Sequence, residues 1–301
     1  RDSICPDKQG NGSLLEWRGA AWYLTHRGGP ARALSSSDGV RVREPALLGD
    51  VHGIWASDVD GEDCLEIGRL DGEGDLRRIC RPENGAGKLG RVLHLAGSPD
   101  GKTAAVISHD GRILKVDIDS EQVTELDRST EYEAFSPVFS PDSRYLVWRH
   151  AMTMEATVGQ LRCADLADDS VHQLTAGKFD DAEPCFTKDG KYLAFLSRRT
   201  FDPVYDEHSF DLSFSDTTRP WLVPLKADQP APFGVSADGW PVAQLDPKND
   251  ESEESDEAKQ QKKDEPPSCE IDFDGFEQRM IVFPTDAGVF TDLFATANGV
   301  A

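Results

Sequence analysis

The segment Leu93–Leu126, LHLAGSPDGKTAAVISHDGRILKVDIDSEQVTEL, carries the pattern from which the fold can be predicted. Its turn, Ser98-Pro99-Asp100-Gly101, combines residues that fix φ, cap the backbone through a side chain and tolerate a positive φ. The next run, TAAVIS, is nearly all apolar, as is typical of a strand buried on both faces. The residues after it alternate between apolar and charged, which indicates a half-exposed strand. The segment therefore predicts successive strands joined by tight turns.

Two later segments repeat this pattern. One begins SPVFSPDSRYLVW at Ser136, and the other begins EPCFTKDGKYLAFL at Glu183. The turn aspartates Asp100, Asp142 and Asp189 are 42 and 47 residues apart, close to the spacing of propeller blades. The sequence therefore predicts an all-β fold, a β-propeller of four-stranded blades.

Weaker copies extend the series in both directions. Gly19 and Asp50 occupy equivalent turns, and Thr291–Ala301 begins a further hairpin. We count six inner hairpins, the last one incomplete, and expect a ring of six or seven blades that is open or incomplete as given. The predicted propeller domain covers residues 11–301, truncated at both ends.

One segment does not fit the repeat. Residues 246–267, DPKNDESEESDEAKQQKKDEPP, have no aromatic or β-branched side chain and many charges, so we predict a disordered acidic insertion. The strand-like run Glu270–Pro284 follows it. This run fits the fifth or the sixth blade equally well, because RPWLVPL before the insertion already resembles an outer strand.

Charge and cysteine content exclude several classes of function. The net charge of −23 disfavours binding to nucleic acid or to an anionic membrane. No run approaches the length of a membrane-spanning helix, and the start of the chain lacks the apolar core of a signal peptide. The six cysteines form no CxxC pair, so we expect buried free thiols and a cytoplasmic protein.

Catalytic and metal-binding motifs are absent from the sequence. It has no G-x-S-x-G, HExxH or P-loop motif and no GxGxxG after a strand, so we assign no catalytic residue and expect no cofactor. The segment 200–215, TFDPVYDEHSFDLSFS, contains Asp202, Asp206, Glu207, His208 and Asp211, but their spacing matches no metal loop. We favour a surface loop packed by its aromatic residues, which are Phe201, Tyr205, Phe210 and Phe214.

Polar residues at the ends of the second strands form a candidate site. Aligning LTHR, WASD, ISHD, VWRH and LSRR places in one column His26, Asp58, His109, His150 and Arg198, with Arg149 and Arg199 beside it. Equivalent loops of a propeller meet on one face, so these residues predict a mildly basic surface that steers carboxylates or peptides. The alternative is that the alignment selects a favourable column of ordinary loop residues.

Three stretches together resemble the bacterial tricorn core protease family. They are WYLTHRGGPARAL at residues 22–34, SRRTFDPVYDEHSFDLSFSDTTRPWLVPL at residues 197–225 and EIDFDGFEQRMIVFP at residues 270–284. The long insertion in the second stretch is the specific part of the resemblance, because generic TolB-like propellers lack it.

The resemblance implies a role that the residues alone do not reveal. Members of this family are large cytoplasmic serine endopeptidases that act downstream of the proteasome, with two propellers, a PDZ domain and a catalytic region in a homohexamer. The chain resembles their second, seven-bladed propeller, which would admit and filter oligopeptide substrates. No residue here matches the family's catalytic motifs. A stand-alone TolB-like binding propeller and the propeller of a prolyl-oligopeptidase-type hydrolase remain the alternatives.

Overall fold

The structure is a computed structural model, and it describes residues 4–35, 39–82, 89–154, 157–201, 203–208, 210–213, 217–233, 267–296 and 299–301. Twenty of the strands form five successive antiparallel groups of four. The acidic insertion predicted at 246–267 lies outside the described residues except for Pro267.

The first three sheets are simple meanders. The first sheet contains β1 (Ile4–Pro6), β2 (Gly12–Trp17), β3 (Ala20–Thr25) and β4 (Arg32–Ala33). The second contains β5 (Val42–Leu48), β6 (His52–Ser57), β7 (Cys64–Arg69) and β8 (Arg77–Ile79). The third contains β9 (Val92–Gly97), β10 (Thr103–Ser108), β11 (Arg112–Asp117) and β12 (Val123–Arg128). The first sheet therefore begins ahead of residue 11, the predicted start of the domain.

The fourth and fifth sheets follow the same plan. The fourth contains β13 (Phe135–Phe139), β14 (Tyr145–Ala151), β15 (Gly159–Asp165) and β16 (Ser170–Gln173). The fifth contains β17 (Asp180–Phe186), β18 (Tyr192–Arg198), β21 (Thr218–Pro224) and β22 (Ile281–Val282). One parallel pair, Gly159 with Asp180, links the two sheets.

Two short hairpins stand outside these sheets. The insertion of the fifth sheet forms a ribbon of β19 (Val204–Asp206) and β20 (Asp211–Ser213), and the last hairpin pairs β23 (Ala295–Thr296) with β24 (Gly299–Val300). The aromatic residues Phe201, Tyr205 and Phe210 were expected to pack the insertion, but they are 79%, 58% and 78% exposed. A narrow two-stranded ribbon has no second layer against which it can bury them. Phe214 lies outside the described residues.

The structure assigns the run after the insertion to the fifth sheet. Val282 pairs with Trp221 and Ile281 with Leu222, so RPWLVP is the third strand and residues 281–282 are the fourth. A 3-10 turn at Glu277–Arg279 precedes this strand.

The turn aspartates act as the sequence predicts. Asp100 Oδ1 accepts hydrogen bonds from Ser98 Oγ at 2.6 Å and from the backbone N–H of Lys102 at 3.0 Å. The same arrangement recurs at Asp142 and at Asp189. These side chains satisfy backbone donors that a tight turn would otherwise leave unpaired.

Neighbouring sheets pack face to face on apolar side chains. The second strands of the second to fifth sheets are buried almost throughout. Their fourth residues include Trp55, Trp148 and Phe195, each fully buried in a different interface. First strands contact first strands, β5 with β9, β9 with β13 and β13 with β17. This is the radial arrangement of propeller blades, with the first strands innermost. All six cysteines are free, and all except the half-buried Cys5 are buried.

Candidate functional site

Strand direction gives the fold two ends. The first-turn face carries the turns between first and second strands, at residues 7–11, 49–51, 98–102, 140–144 and 187–191. The second-turn face is the opposite end, where the second strands finish at Trp17, Ser57, Ser108, Ala151 and Arg198. Lys8 confirms the placement of the first sheet, because its Nζ is 2.8 Å from Asp50 Oδ1 on the first-turn face.

The innermost strands share a strained feature that our sequence analysis missed. Glu44, Ser136 and Glu183 have φ angles of 50°, 52° and 51°, and each precedes a proline. The strand pairing shifts register at each of these places. A left-handed residue other than glycine costs energy and is concentrated at functional positions. In the sequence, these bulges are marked only by a residue followed by proline at 44–45, 136–137 and 183–184.

Two of the bulge side chains make contacts outside their own sheet: Glu44 reaches the innermost strand of the third sheet, and Glu183 accepts the backbone N–H of Leu293 at 3.1 Å. Glu44 Oε2 is 3.8 Å from His94 Nδ1, and the His94 ring lies edge-on to Phe135 with a centroid separation of 5.3 Å. Burial, reinforced by the charge of Glu16, raises the pKa of Glu44, and burial lowers the pKa of His94. Both side chains remain about one-third exposed. The innermost surface is therefore polar and open to solvent.

Three members of the predicted column, Asp58, His109 and Arg198, occupy equivalent positions on the second-turn face. Asp58 and His109 each donate a backbone hydrogen bond to the residue just before the paired strand, Arg41 and Arg91 respectively. His150 also lies on this face, but one residue earlier in its strand than the other three.

The fifth predicted member, His26, lies at the other end of the first sheet. Its Nδ1 is 2.8 Å from Gly10 O and its Nε2 is 2.8 Å from Ser13 Oγ, in and beside the first turn. The hairpin at Gly19 joins the second and third strands of this sheet, whereas the inner hairpin is β1–β2. The structure therefore separates His26 from the other predicted residues.

Ion pairs neutralise the arginines at the second-turn ends of the fourth and fifth sheets. Arg149 is 7% exposed, and its Nη2 is 2.8 Å from Asp180 Oδ1, while Arg198 Nε is 3.6 Å from Asp180 Oδ2. Arg199 Nη2 is 2.9 Å from Asp181 Oδ2, and Asp181 also accepts a hydrogen bond from Ser197 Oγ. Only Arg198, 62% exposed, offers much of its guanidinium to solvent. These cations are mainly structural.

His150 lies in the interface between the third and fourth sheets. Its Nδ1 is 3.5 Å from Asp127 Oδ2, which also pairs with Arg162 at 2.8 Å. Burial and the nearby Arg162 charge lower the pKa of His150 to about 4, although Asp127 opposes this shift. The ring is therefore neutral at pH 7 and is no part of a cationic surface.

A cavity of about 500 Å³ opens between the second and third sheets on the second-turn face. It brings Asp58 and His109 together with Arg41, Arg43 and Arg91. Its remaining lining residues are Gly61, Glu62, Asp63, Cys80, Pro82, Leu89 and Gly90. The volume is within the range of small-molecule sites. We call this cavity the 2–3 cleft.

The described residues contain no group of three or more His, Cys, Asp or Glu side chains placed to hold a metal ion. Of the acidic insertion residues, Asp202 lies outside the described part, as does the side chain of Asp206. Within the same described part, no helix is long and apolar enough to cross a membrane.

Comparisons with known proteins agree on one family. A family model described as the tricorn protease second beta propeller domain matches residues 2–301. The chain is 42% identical over 304 residues to tricorn protease homolog 1 of Streptomyces coelicolor, with 99% of the chain and 27% of that relative covered. Putative tricorn protease homolog 2 of the same organism is 33% identical over 384 residues, with 98% of the chain and 31% of the relative covered. The chain thus spans less than a third of the length of these relatives.

Solved structures support the same fold. The crystal structure of the tricorn protease superposes with a TM-score of 0.73 at 21% identity, covering 98% of this chain and 26% of that one. A putative TolB from Agrobacterium tumefaciens gives a TM-score of 0.52 at 19% identity, covering 74% and 76%. At these identities the likeness shows the propeller fold alone.

Proposed function

The chain belongs to the tricorn protease second β-propeller family, and from this we propose that it admits and filters oligopeptides for a serine peptidase without catalysing hydrolysis itself. The peptidase chemistry resides in other parts of the polypeptide, because no residue of this chain matches a catalytic motif. The family match over residues 2–301 and the 42% identity to a tricorn protease homolog support this assignment.

One observation carries the filtering role. Three innermost strands hold a left-handed residue at the same point, and their side chains, Glu44, Ser136 and Glu183, are all partly exposed. Each such residue costs on the order of 1–3 kcal/mol of conformational strain. A strained inner lining of polar groups is what a passage for peptide backbone requires, since its groups can exchange hydrogen bonds with a moving chain.

The wider setting belongs to the same proposal. We place the chain in a cytoplasmic homohexamer that also contains PDZ and serine-peptidase domains, and that takes peptides released by the proteasome. The expected observations are a sixfold particle in analytical ultracentrifugation and co-purification with the soluble cytoplasmic fraction. A monomeric, membrane-associated protein would contradict this setting.

The filter can be tested by narrowing the inner lining. His94 is one-third exposed and sits between Glu44 and Phe135. In the full-length protein, His94→Trp should lower kcat/KM for peptides of about twenty residues and leave dipeptide-sized chromogenic substrates unaffected, because only long substrates need the passage. Gln122→Trp adds the same bulk at an exposed outer position of the same sheet and serves as the matched control.

One outcome would refute the filtering role and another would refute the non-catalytic assignment. Equal cleavage of long and short substrates by His94→Trp, in protein shown to be folded, contradicts passage along the innermost strands. Peptidase turnover by the isolated propeller chain contradicts its assignment as non-catalytic.

A further inference from the structure

The 2–3 cleft has an unusual charge arrangement for this protein. In a chain of net charge −23, the side chains of Arg41 and Arg91 line one cavity, and neither forms an ion pair within the described residues. Both side chains are exposed. At the position equivalent to Arg41, the fifth sheet has Asp180, which pairs with two arginines. The carboxylates that line the cleft form no ion pair with Arg41 or Arg91 within the described residues.

The acidic residues of the cleft are already engaged. Arg43 Nη2 is 2.5 Å from both carboxylate oxygens of Asp63, and Asp63 Oδ2 also accepts the backbone N–H of Val92 at 2.7 Å. Arg43 Nη1 donates to Val92 O at 2.8 Å, so this pair bridges the two sheets as a neutral floor. Asp58 Oδ1 accepts the backbone N–H of Arg41 at 2.7 Å. Glu62 is the one lining carboxylate that makes no such bond within the described part.

His109 supplies a third donor. Its Nδ1 accepts the backbone N–H of Arg91 at 3.1 Å, so the neutral ring carries its proton on Nε2. No hydrogen bond to this Nε2 occurs among the described residues. Gly90 allows the backbone to pack closely against Ser108 and His109. A Cβ at this position would lie 2.5 Å from Ser108 Oγ and 3.1 Å from His109 Cε1.

We propose that the 2–3 cleft is a carboxylate-binding site formed by Arg41, Arg91 and His109. Guanidinium groups recognise carboxylates through paired, charge-assisted hydrogen bonds, and the His109 Nε2–H adds a neutral donor. The Arg43–Asp63 floor contributes no net charge, and the carboxylates of Asp58 and Glu62 offset the charges of Arg41 and Arg91. Recognition therefore rests on directed hydrogen bonds from the two guanidinium groups and not on an excess of positive charge. The site takes the carboxylate of a peptide, at its C terminus or on an acidic side chain. It lies in the interface between two sheets and does not depend on passage along the innermost strands.

The test uses arginine modification as a local readout in the full-length protein. Phenylglyoxal should label Arg41 and Arg91, and peptide mass spectrometry maps the labelled residues. A neutral peptide with a free C-terminal carboxylate should reduce labelling of both arginines at least threefold. The same peptide with an amidated C terminus should give no protection. An amidated peptide that contains one Glu tests whether a side-chain carboxylate can bind instead of the C-terminal one.

Matched sites and variants complete the design. Exposed Arg27, on the first sheet, should be labelled equally with and without peptide. His109→Ala should weaken the protection without changing the labelling rate of free protein. In calorimetry, Arg41→Gln/Arg91→Gln should raise the carboxylate-dependent Kd at least tenfold, while Arg27→Gln/Arg32→Gln, with the same charge change, should not.

Protection by either carboxylate source and not by the neutral amide supports the site and identifies its ligand. Protection by neither carboxylate, or equal protection by acid and amide, overturns it. Because the readout is labelling of two arginines, its outcome is independent of whether peptide cleavage depends on length.

Discussion

The interface between the second and third sheets and the interface between the fourth and fifth sheets carry arginines at the same end of the fold. In the fourth–fifth interface, Asp180 pairs with Arg149 and Arg198, while Asp181 pairs with Arg199 within the fifth sheet. In the 2–3 cleft, Arg41 stands where Asp180 stands in the fifth sheet, and a cavity of about 500 Å³ remains. The same repeat position therefore has two outcomes. An aspartate there, Asp180, pairs with arginines and closes the fourth–fifth interface, whereas an arginine there, Arg41, leaves an accessible charge in the 2–3 cleft.

The largest expected effect comes from breaking the buried Asp181–Arg199 ion pair of the fifth sheet. Asp181 is 1% exposed, and Asp181→Ala leaves the Arg199 guanidinium, 16% exposed, without its carboxylate. An uncompensated buried charge should lower the free energy of unfolding by about 3–5 kcal/mol, measured by urea denaturation. Asp50→Ala, which removes the partner of exposed Lys8, is the control and should change little. Equal effects of the two changes would show that the buried Asp181–Arg199 pair does not stabilise the fifth sheet.

The next prediction concerns the interface that lies between these two. The folded protein holds the pKa of His150 at about 4, below the value of about 6.5 in an unfolded chain. The unfolded state therefore binds more protons between these pH values, so stability is complete above pH ~6.5 and falls as the pH drops toward 4. The shift corresponds to roughly 3 kcal/mol of unfolding free energy.

This pH dependence can be assigned with one variant. His150→Gln should flatten the stability profile between pH 6.5 and 4, measured by urea denaturation at each pH, since Gln does not titrate. An unchanged slope in His150→Gln would assign the dependence to other groups, such as the carboxylates paired with Arg162 and Arg149.

A third prediction tests the left-handed bulge that recurs in the first strands of the second, fourth and fifth sheets. Ser136 has φ 52°, a region that glycine occupies freely and β-branched residues avoid. Ser136→Val should therefore be less stable than Ser136→Gly by about 1–2 kcal/mol in thermal unfolding. At Ser120, in an ordinary outer turn, the same two substitutions should differ less. The reverse order at residue 136 would contradict the strained bulge.

The smallest effect on stability is expected at the exposed edge of the fourth–fifth interface. Arg198 is 62% exposed and 3.6 Å from Asp180, so Arg198→Glu should change stability by less than about 1 kcal/mol. If the second-turn face steers peptides, the same change in the full-length protein should alter kcat/KM for long charged peptides severalfold at low salt. Arg199 is unsuited to this test because its partner Asp181 is buried. Unchanged cleavage of long and short peptides would exclude Arg198 from substrate steering.

Much of the fold was predictable because its signals are local. The Asp100, Asp142 and Asp189 turns need only neighbouring residues, and apolar second strands follow from burial on both faces. The prediction that aromatic residues pack the β19–β20 insertion was wrong, because these side chains are exposed. An aromatic side chain favours packing, but the local sequence does not show whether a second layer is present to pack against. The X-Pro bulges were visible as repeated dipeptides, but their left-handed backbone is not encoded by any single residue.

The sequence by itself determined the repeated blade, the turns at its ends and the absence of a catalytic motif, since each depends on residues close together in the chain. Only the tertiary structure decided which cations are available. It separated His26 from Asp58, His109, His150 and Arg198, joined Arg149 to Asp180 and left Arg41 and Arg91 around a cleft. The physical reason is that a charge is neutralised or exposed by its partner across a sheet interface, and that partner comes from another blade.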